Sequence, residues 1–464
     1  MDLQLARPMV QARASGSGRI ATLDGLRGIS ILLVLFGHAF GTGILPRTKS
    51  AHLVSEIGVR TFFVISGFLI TTLLVRERAR HGRISLFGFY KRRTLRIFPA
   101  FYGYLAVVAL LSIMGLAPVA GHDLANAATY TMNFHTERPW LLGHLWSLSV
   151  EEQFYLIWPL VLVLIGVTRA ASFAVVAIVA APILRLVAWY RWPELRGLTD
   201  QALPFVFDSL ATGCALAIAR DRLEASPRYR AVLDAPSFWL IPAFLMGAMV
   251  ITRPWFDLGV GTTLVNLGIA FAVHHCVSRP TGIVGQFLER RSLVWIGTLS
   301  YSLYLWQQPF MNRSASAWIN IFPINIVLAF AAAMVWYYAV ERPMLRLRRA
   351  PETQPEPIAH VAIAPIAIVE MPAHEITLIN VTDLHRLPTD HQDLPAKWMR
   401  DLGAQLAQGT DPHIVADHID YETYELEAIA AVRAATDAEA DAKQSAKRTT
   451  STTLSTIVEG ATSS

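Results

Sequence analysis

TLDGLRGISILLVLFGHAF, residues 22–40, places Arg27 and His38 eleven positions apart in an otherwise apolar run. At about 100° per residue eleven steps return nearly to one azimuth, and at about 1.5 Å per residue they cover roughly 16 Å. One helix therefore presents both side chains on one face. Arg27 is expected at the helix entrance and His38 past mid-depth, a fixed cation near one membrane surface and a titratable imidazole inside the bilayer. Ionisable groups in an apolar span mark a functional site; the competing reading is an anchoring arginine and a satisfied core histidine.

Composition puts the rest of that helix in lipid. Hydrophobic residues make up 53% of the 464 and charged residues 16%, with a mean hydropathy of +0.39, and the apolar residues fall in long runs. The expected fold is an all-α polytopic membrane protein. Residues 1–20 are polar and basic and lead straight into a full-length apolar segment, so no cleavable signal is expected. Cys214 and Cys276 both lie in apolar stretches and read as small core residues, not as a disulfide or metal framework.

Hydropathy predicts about ten spans, near residues 27–45, 56–75, 98–116, 147–166, 170–190, 203–220, 236–252, 258–277, 294–311 and 322–341. Basic residues concentrate in the N-terminal arm and in the second, sixth and eighth loops. Arg76, Arg78, Arg80, Arg83, Lys91, Arg92, Arg93 and Arg96 crowd the second. This asymmetry predicts that both termini are cytoplasmic. Residues 351–464 hold 7 Lys and Arg against 18 Asp and Glu, net −11, which leaves residues 1–350 at +16. A basic membrane half with an acidic, solvated tail fits a bilayer protein better than a nucleic-acid binder. The expected divisions are a cytoplasmic arm (1–20), a membrane domain (21–345) and, after a Pro-rich linker, an acidic cytoplasmic tail (346–464) forming a small or partly disordered domain. No catalytic motif is visible in the tail.

Depth along the spans brings polar residues to one layer. His38 reaches the outer half from the cytoplasm. Glu151 and Glu152, in WSLSVEEQFY, and Asp208, in FVFDSLATGCALA, reach it from outside, and Gln307 follows a cytoplasmic start. Isolated acids in lipid are costly, so a shared hydrated or paired cavity is expected, with a purely structural polar network as the alternative. Arg93 and Arg96, three apart on one helical face, suit bidentate recognition of a phosphate or pyrophosphate; juxtamembrane arginines also serve orientation and lipid headgroups. In TFFVISGFLIT, Ser66 and Gly67 form a small-residue notch that would pass a thin acyl chain or simply permit close helix packing.

The motifs DGLRGISILLVLFGH, FFVISGFLI, YKRRTLRIFP, WSLSVEEQFY, DSLATGCALA, SYSLYLWQQP and VERP, in this order over residues 20–345, resemble acyltransferase family 3, the bacterial integral-membrane O-acyltransferases of envelope and secreted sugars. The resemblance implies ten core helices, an inner-membrane location and an acyl-coenzyme A donor, most simply acetyl-coenzyme A, on the cytoplasmic side. It implies no metal, and an acceptor that is a glycan or lipid-linked sugar such as O-antigen or exopolysaccharide. Arg27 and His38 match the family's central pair, and Arg93 and Arg96 its paired arginines. Related sequences often carry His where this chain has Gln307, which cannot titrate but can hydrogen-bond. Glu341, in the closing VERP, joins Ser66, Glu151 and Gln307 as a further site candidate. Some relatives append a Ser-Gly-Asn-His-type hydrolase domain; no Gly-Asp-Ser block is present here, so transfer is expected at the membrane domain itself.

A sugar hydroxyl needs a base at neutral pH, and histidine is suited to it. His38 is expected to deprotonate the acceptor or to carry the acyl group transiently, with Glu152 or Asp208 orienting its second nitrogen and Arg27, Arg93 and Arg96 holding donor phosphates. Ten helices with intramembrane acids also fit a glycolipid transporter or flippase, and the acidic tail a non-enzymatic scaffold.

Overall fold

The computed structural model describes residues 20–42, 46, 50–251, 253–313 and 317–347, all within the unit Met1–Gln354. The N-terminal arm before Ile20 and the acidic tail after Leu347 lie outside the described residues. All regular structure among these residues is helical. The helices that position the site are α1 (Ala21–Ala39), α2 (Ser50–His81), α3 (Leu86–Ile113), α4 (Gly121–Ala128), α5 (Leu145–Arg191), α6 (Leu203–Ala225), α7 (Thr262–Ser278), α8 (Arg291–Trp306) and α9 (Ile324–Trp336).

Helix α1 starts earlier and stops earlier than its hydropathy predicts. Thr22 and Leu23 are buried and extend the helix backwards, so Arg27 sits nearly two turns inside it and not at its entrance. At the other end Phe40 turns extended and Gly41 takes φ 83°, a left-handed conformation that glycine adopts without steric cost. Arg27 and His38 nonetheless share this one helix, as their spacing predicts.

Seven of the described helices are long and apolar enough to cross a membrane, or eight if the pair Pro227–Asp234 and Pro236–Val250, bent by 79°, is one span. Two features separate this count from ten. Helix α8, at 16 residues, is about 24 Å long and falls short of the roughly 30 Å hydrocarbon core. Helix α5 counts once, yet Gly166 breaks it at φ 78°, ψ 167°, a conformation essentially confined to glycine. A straight helix would hold Trp158 and Phe173 roughly 22 Å apart. Their ring centroids lie 6.5 Å apart, and Phe207 touches both Phe154 (6.2 Å) and Phe173 (6.1 Å). The two halves of α5 therefore fold back on each other at Gly166, whose added Cβ would lie 3.7 Å from the Arg78 guanidinium.

Helix crossings are made by backbone contact at glycines, as in membrane helix packing. A Cβ on Gly28 would strike the Leu293 carbonyl, one on Gly297 the Asp24 carbonyl, and one on Gly67 the Leu210 carbonyl. The acyl-chain notch expected at Ser66 and Gly67 is thus filled: Gly67 serves the α2–α6 crossing, and Ser66 is hydrogen-bonded to Glu151. Contacts also fix relative direction. Along α1 and α8, Arg27 meets Ser300 and His38 meets Gln307; along α2 and α6, Arg60 meets Ser209 and Thr71 meets Cys214. Residue numbers rise together in each pair, so α1 runs parallel to α8 and α2 to α6.

Between α3 and α5, Asp123 accepts from the Ala120 backbone N–H (2.9 Å) and pairs with His135 (2.8 Å). With His122 these are the described residues that bring three potential metal ligands within 4.8 Å. Their mutual pairing and the helix cap tie the loop down. Gln153 then fastens this loop to the first turns of α5, through the Tyr130 carbonyl (2.8 Å) and Asn133 (2.9 Å).

Candidate active site

Helix α1 carries two polar centres, one around Arg27 and one around His38. At the second, His38 Nδ1 lies 2.9 Å from Gln307 Oε1 at the end of α8. A carbonyl oxygen only accepts, so Nδ1 carries the proton and Nε2 keeps its lone pair. Gln307 therefore fixes the tautomer a general base needs, the part that sequence reasoning gave to Glu152 or Asp208.

Further groups frame this imidazole. Trp140 lies 6.3 Å from its ring and exchanges two hydrogen bonds with Gln308, donating its indole N–H to the Gln308 backbone carbonyl (2.7 Å) and accepting at its own backbone carbonyl from the Gln308 side-chain amide (3.0 Å). Arg313 donates to the Gly37 carbonyl (3.0 Å), closing the frayed end of α1, and its guanidinium stands 5.9 Å from the Trp140 ring. His144, on the turn into α5, is buried and interacts electrostatically with His38. Trp140, His144 and Arg313 were not singled out in the sequence, although His144 stands two residues before WSLSVEEQFY.

The Arg27 centre gathers most remaining candidates. Arg27 donates to Ser300 Oγ (3.0 Å) and approaches Asp24 at 3.9 Å. Glu151 accepts from Ser66 (2.7 Å), which in turn accepts from the Tyr155 hydroxyl (3.2 Å). Glu341 accepts from Ser302 (2.7 Å). Arg27, Arg93 and Arg96 all act on the Glu151 charge, Arg27 and Arg96 on Glu341, and Arg93 on Glu152. Arg93 also stands 4.9 Å over the Tyr155 ring. Three arginines thus face three carboxylates from α1, α3, α5 and the turn after α9, the mutual charge compensation that polar groups in an apolar interior require. One Glu152 oxygen remains buried without a hydrogen-bond partner, as does the nearby Tyr130 hydroxyl. Burial first, and Glu152 second, raise that phenol well above its usual range, so it stays a donor.

Asp208 lies apart from both centres. It is fully buried, pairs with Arg185 at 3.0 Å and accepts from Thr263 at 2.7 Å. Arg185 also donates to the Leu258 carbonyl (2.7 Å), the Phe205 carbonyl (2.5 Å) and Thr263 (3.0 Å). The carboxylate is satisfied within this knot and takes no part in orienting His38. Its cation comes from the second half of α5, which reaches α6 only because the chain reverses at Gly166.

Residues 20–342 match a family model described as an acyltransferase domain. The chain is 27% identical over 318 residues to the peptidoglycan O-acetyltransferase OatA of Listeria monocytogenes, covering 63% of this chain and 49% of that protein. It is also 27% identical over 362 residues to the O-acetyltransferase OatA of Staphylococcus aureus, covering 69% and 56% respectively. The chain spans about half the length of these curated relatives. No solved structure matches it.

Proposed function

The chain belongs to the acyltransferase family whose model spans its residues 20–342, and on that premise we propose that it is a membrane O-acyltransferase. It moves an acyl group, most simply acetyl, from acyl-coenzyme A to a hydroxyl of an envelope glycan or glycolipid. The Listeria relative is named for peptidoglycan, which joins O-antigen and exopolysaccharide as a candidate acceptor.

The His38–Gln307 pair carries this assignment. Nε2 takes the proton of the acceptor hydroxyl as its oxygen bonds to the donor's thioester carbonyl carbon; the C–S bond breaks, and the imidazolium returns the proton to the leaving thiolate. Because Gln307 occupies Nδ1, an acyl group on the remaining nitrogen would leave His38 no base for the acceptor, which favours direct transfer. Arg93 and Arg96, with Arg27 deeper in, hold the donor phosphates. Their surroundings suit phosphate binding, since Arg76, Arg78, Arg80, Arg83, Lys91 and Arg92 form an exposed basic rim leading to them. Glu151, Glu152 and Glu341 keep the inner arginines charge-balanced, and Asp208 holds the fold.

The protein crosses a bacterial inner membrane ten times with both termini cytoplasmic, and residues 346–464 form an accessory cytoplasmic tail. Strict alternation makes α2 and α6 parallel only if the two halves of α5 are separate spans, and α1 and α8 parallel only if both are odd-numbered; both parallel pairs fit ten. The Gly166 turn beside Arg78 fits a cytoplasmic position for each. A glycolipid transporter gains no support from the family match.

The test uses the full chain in lipid nanodiscs with labelled acetyl-coenzyme A and envelope glycan from a strain lacking the gene. Label on the glycan with the native chain, and none with His38→Ala, is expected. Equal labelling by both, or none by either, overturns the assignment.

A further inference from the structure

Buried side-chain atoms without a hydrogen-bond partner concentrate around His38. They are Nε1 of Trp306, Nε2 of Gln307, Oε1 of Gln308 and the imidazole of His144, whose ring also interacts with the Leu305 backbone. His144 and Gln308 are each 4% exposed and Gln307 is 0% exposed, so bulk water does not satisfy them. They form one neighbourhood. Tyr104 packs its ring 5.8 Å from His144 and 5.4 Å from Trp306, the Tyr304 hydroxyl donates to the His144 carbonyl (3.0 Å), and Gln307 and Gln308 flank His38 and Trp140. Polar groups in protein interiors are almost always paired, and leaving several unpaired side by side is costly.

We propose that His144, with Trp306, Gln307 and Gln308, forms the pocket that binds acceptor hydroxyls beside His38, and that His144 is its central positioning residue. This rests on the acylation reading above. The groups left for a ligand are two pure donors (Trp306 and the Gln307 amide), one pure acceptor (the Gln308 carbonyl) and the His144 imidazole nitrogen that does not face the Leu305 backbone. The set is neutral and mixed, matching vicinal hydroxyls, each of which donates and accepts. Phosphate, an acceptor-rich anion, would leave Gln308 unpaired, and the charge-dense Arg27 centre suits it better. The two reactants therefore approach from opposite ends of α1, and His144 holds a neighbouring hydroxyl so that the reacting one points at His38 Nε2.

The test measures acetyl transfer from acetyl-coenzyme A to envelope glycan of the deletion strain, titrated as total sugar, with the full chain in nanodiscs. His144→Phe keeps the ring and removes both hydrogen-bonding atoms; it should raise the acceptor KM by about tenfold, the loss of one buried hydrogen bond, and leave the acetyl-coenzyme A KM within about twofold. His144→Gln restores a donor and an acceptor and should recover part of the loss, which a purely structural role would not produce. Trp306→Phe, which deletes one N–H, gives a second reading should His144→Phe misfold, and should raise the acceptor KM in the same direction. An active native chain with unchanged acceptor KM in these variants overturns the pocket while leaving the acylation reading standing. A native chain that transfers no acetyl group overturns the reading itself and the pocket with it.

Discussion

Gln307 Oε1 accepts a hydrogen bond from His38 Nδ1 at 2.9 Å, although 269 positions separate the two residues. The contact exists because α1 and α8 run parallel and meet backbone to backbone at Gly28 and Gly297. Gln307→Leu removes this hydrogen bond together with the side-chain amide assigned to the acceptor pocket, and should lower kcat by about 10- to 100-fold and raise the acceptor KM while the donor KM changes little, since the tautomer and ring orientation are lost but the donor-binding arginines remain. His38→Ala should abolish turnover with normal membrane abundance. Steady-state kinetics on purified variants checks both, and normal kcat in Gln307→Leu would reassign Gln307 to packing.

Arg93→Ala and Arg96→Ala should chiefly raise the KM for acetyl-coenzyme A, because donor phosphates keep their charge through the reaction. Lysine at either place should restore part of the affinity, as an ammonium cannot reproduce a bidentate fork. Donor titration reads the effect; unchanged donor KM would return these arginines to topology or lipid contact.

Asp208 and Arg185 form a pair with side chains 0% and 2% exposed. Removing one partner strands the other's charge and should cost about 3–5 kcal/mol, whereas replacing both with apolar residues of similar size costs less. Asp208→Leu with Arg185→Met should therefore melt above either single variant in detergent, and keep turnover per folded molecule. A double variant that is stable yet inactive would make Asp208 part of the chemistry.

Gly166→Ala forces a Cβ into a backbone conformation essentially reserved for glycine and should cost about 1–3 kcal/mol, seen as a lower melting temperature. Single cysteines at Thr168 and Arg83 should react with impermeant thiol reagents from the same side of the membrane. Labelling from opposite sides would deny that the chain reverses there.

Truncation after Ala350 should preserve acetyl transfer per folded molecule, since every candidate residue precedes that point. Activity normalised to membrane-inserted protein checks this; complete loss of turnover at normal abundance would make the tail part of the enzyme.

The sequence by itself determined that the chain is helical and apolar enough for a bilayer, that Arg27 and His38 share a helix, and that Ser66, Glu151, Glu152, Arg93, Arg96 and Gln307 carry polar chemistry. These follow from properties local to the chain: 3.6-residue periodicity, the cost of ionisable groups in apolar runs, and motifs that each fit within one helix. Only the tertiary structure decided which group serves which. Gln307 and not Asp208 holds His38, because partner choice depends on which helices cross and in what direction. Arg185 claims Asp208 because Gly166 reverses α5, and a single glycine in an apolar run gives no sign of its φ. His144 stayed invisible for the same reason: a buried histidine short of hydrogen-bond partners is recognisable only once its neighbours have been brought round it.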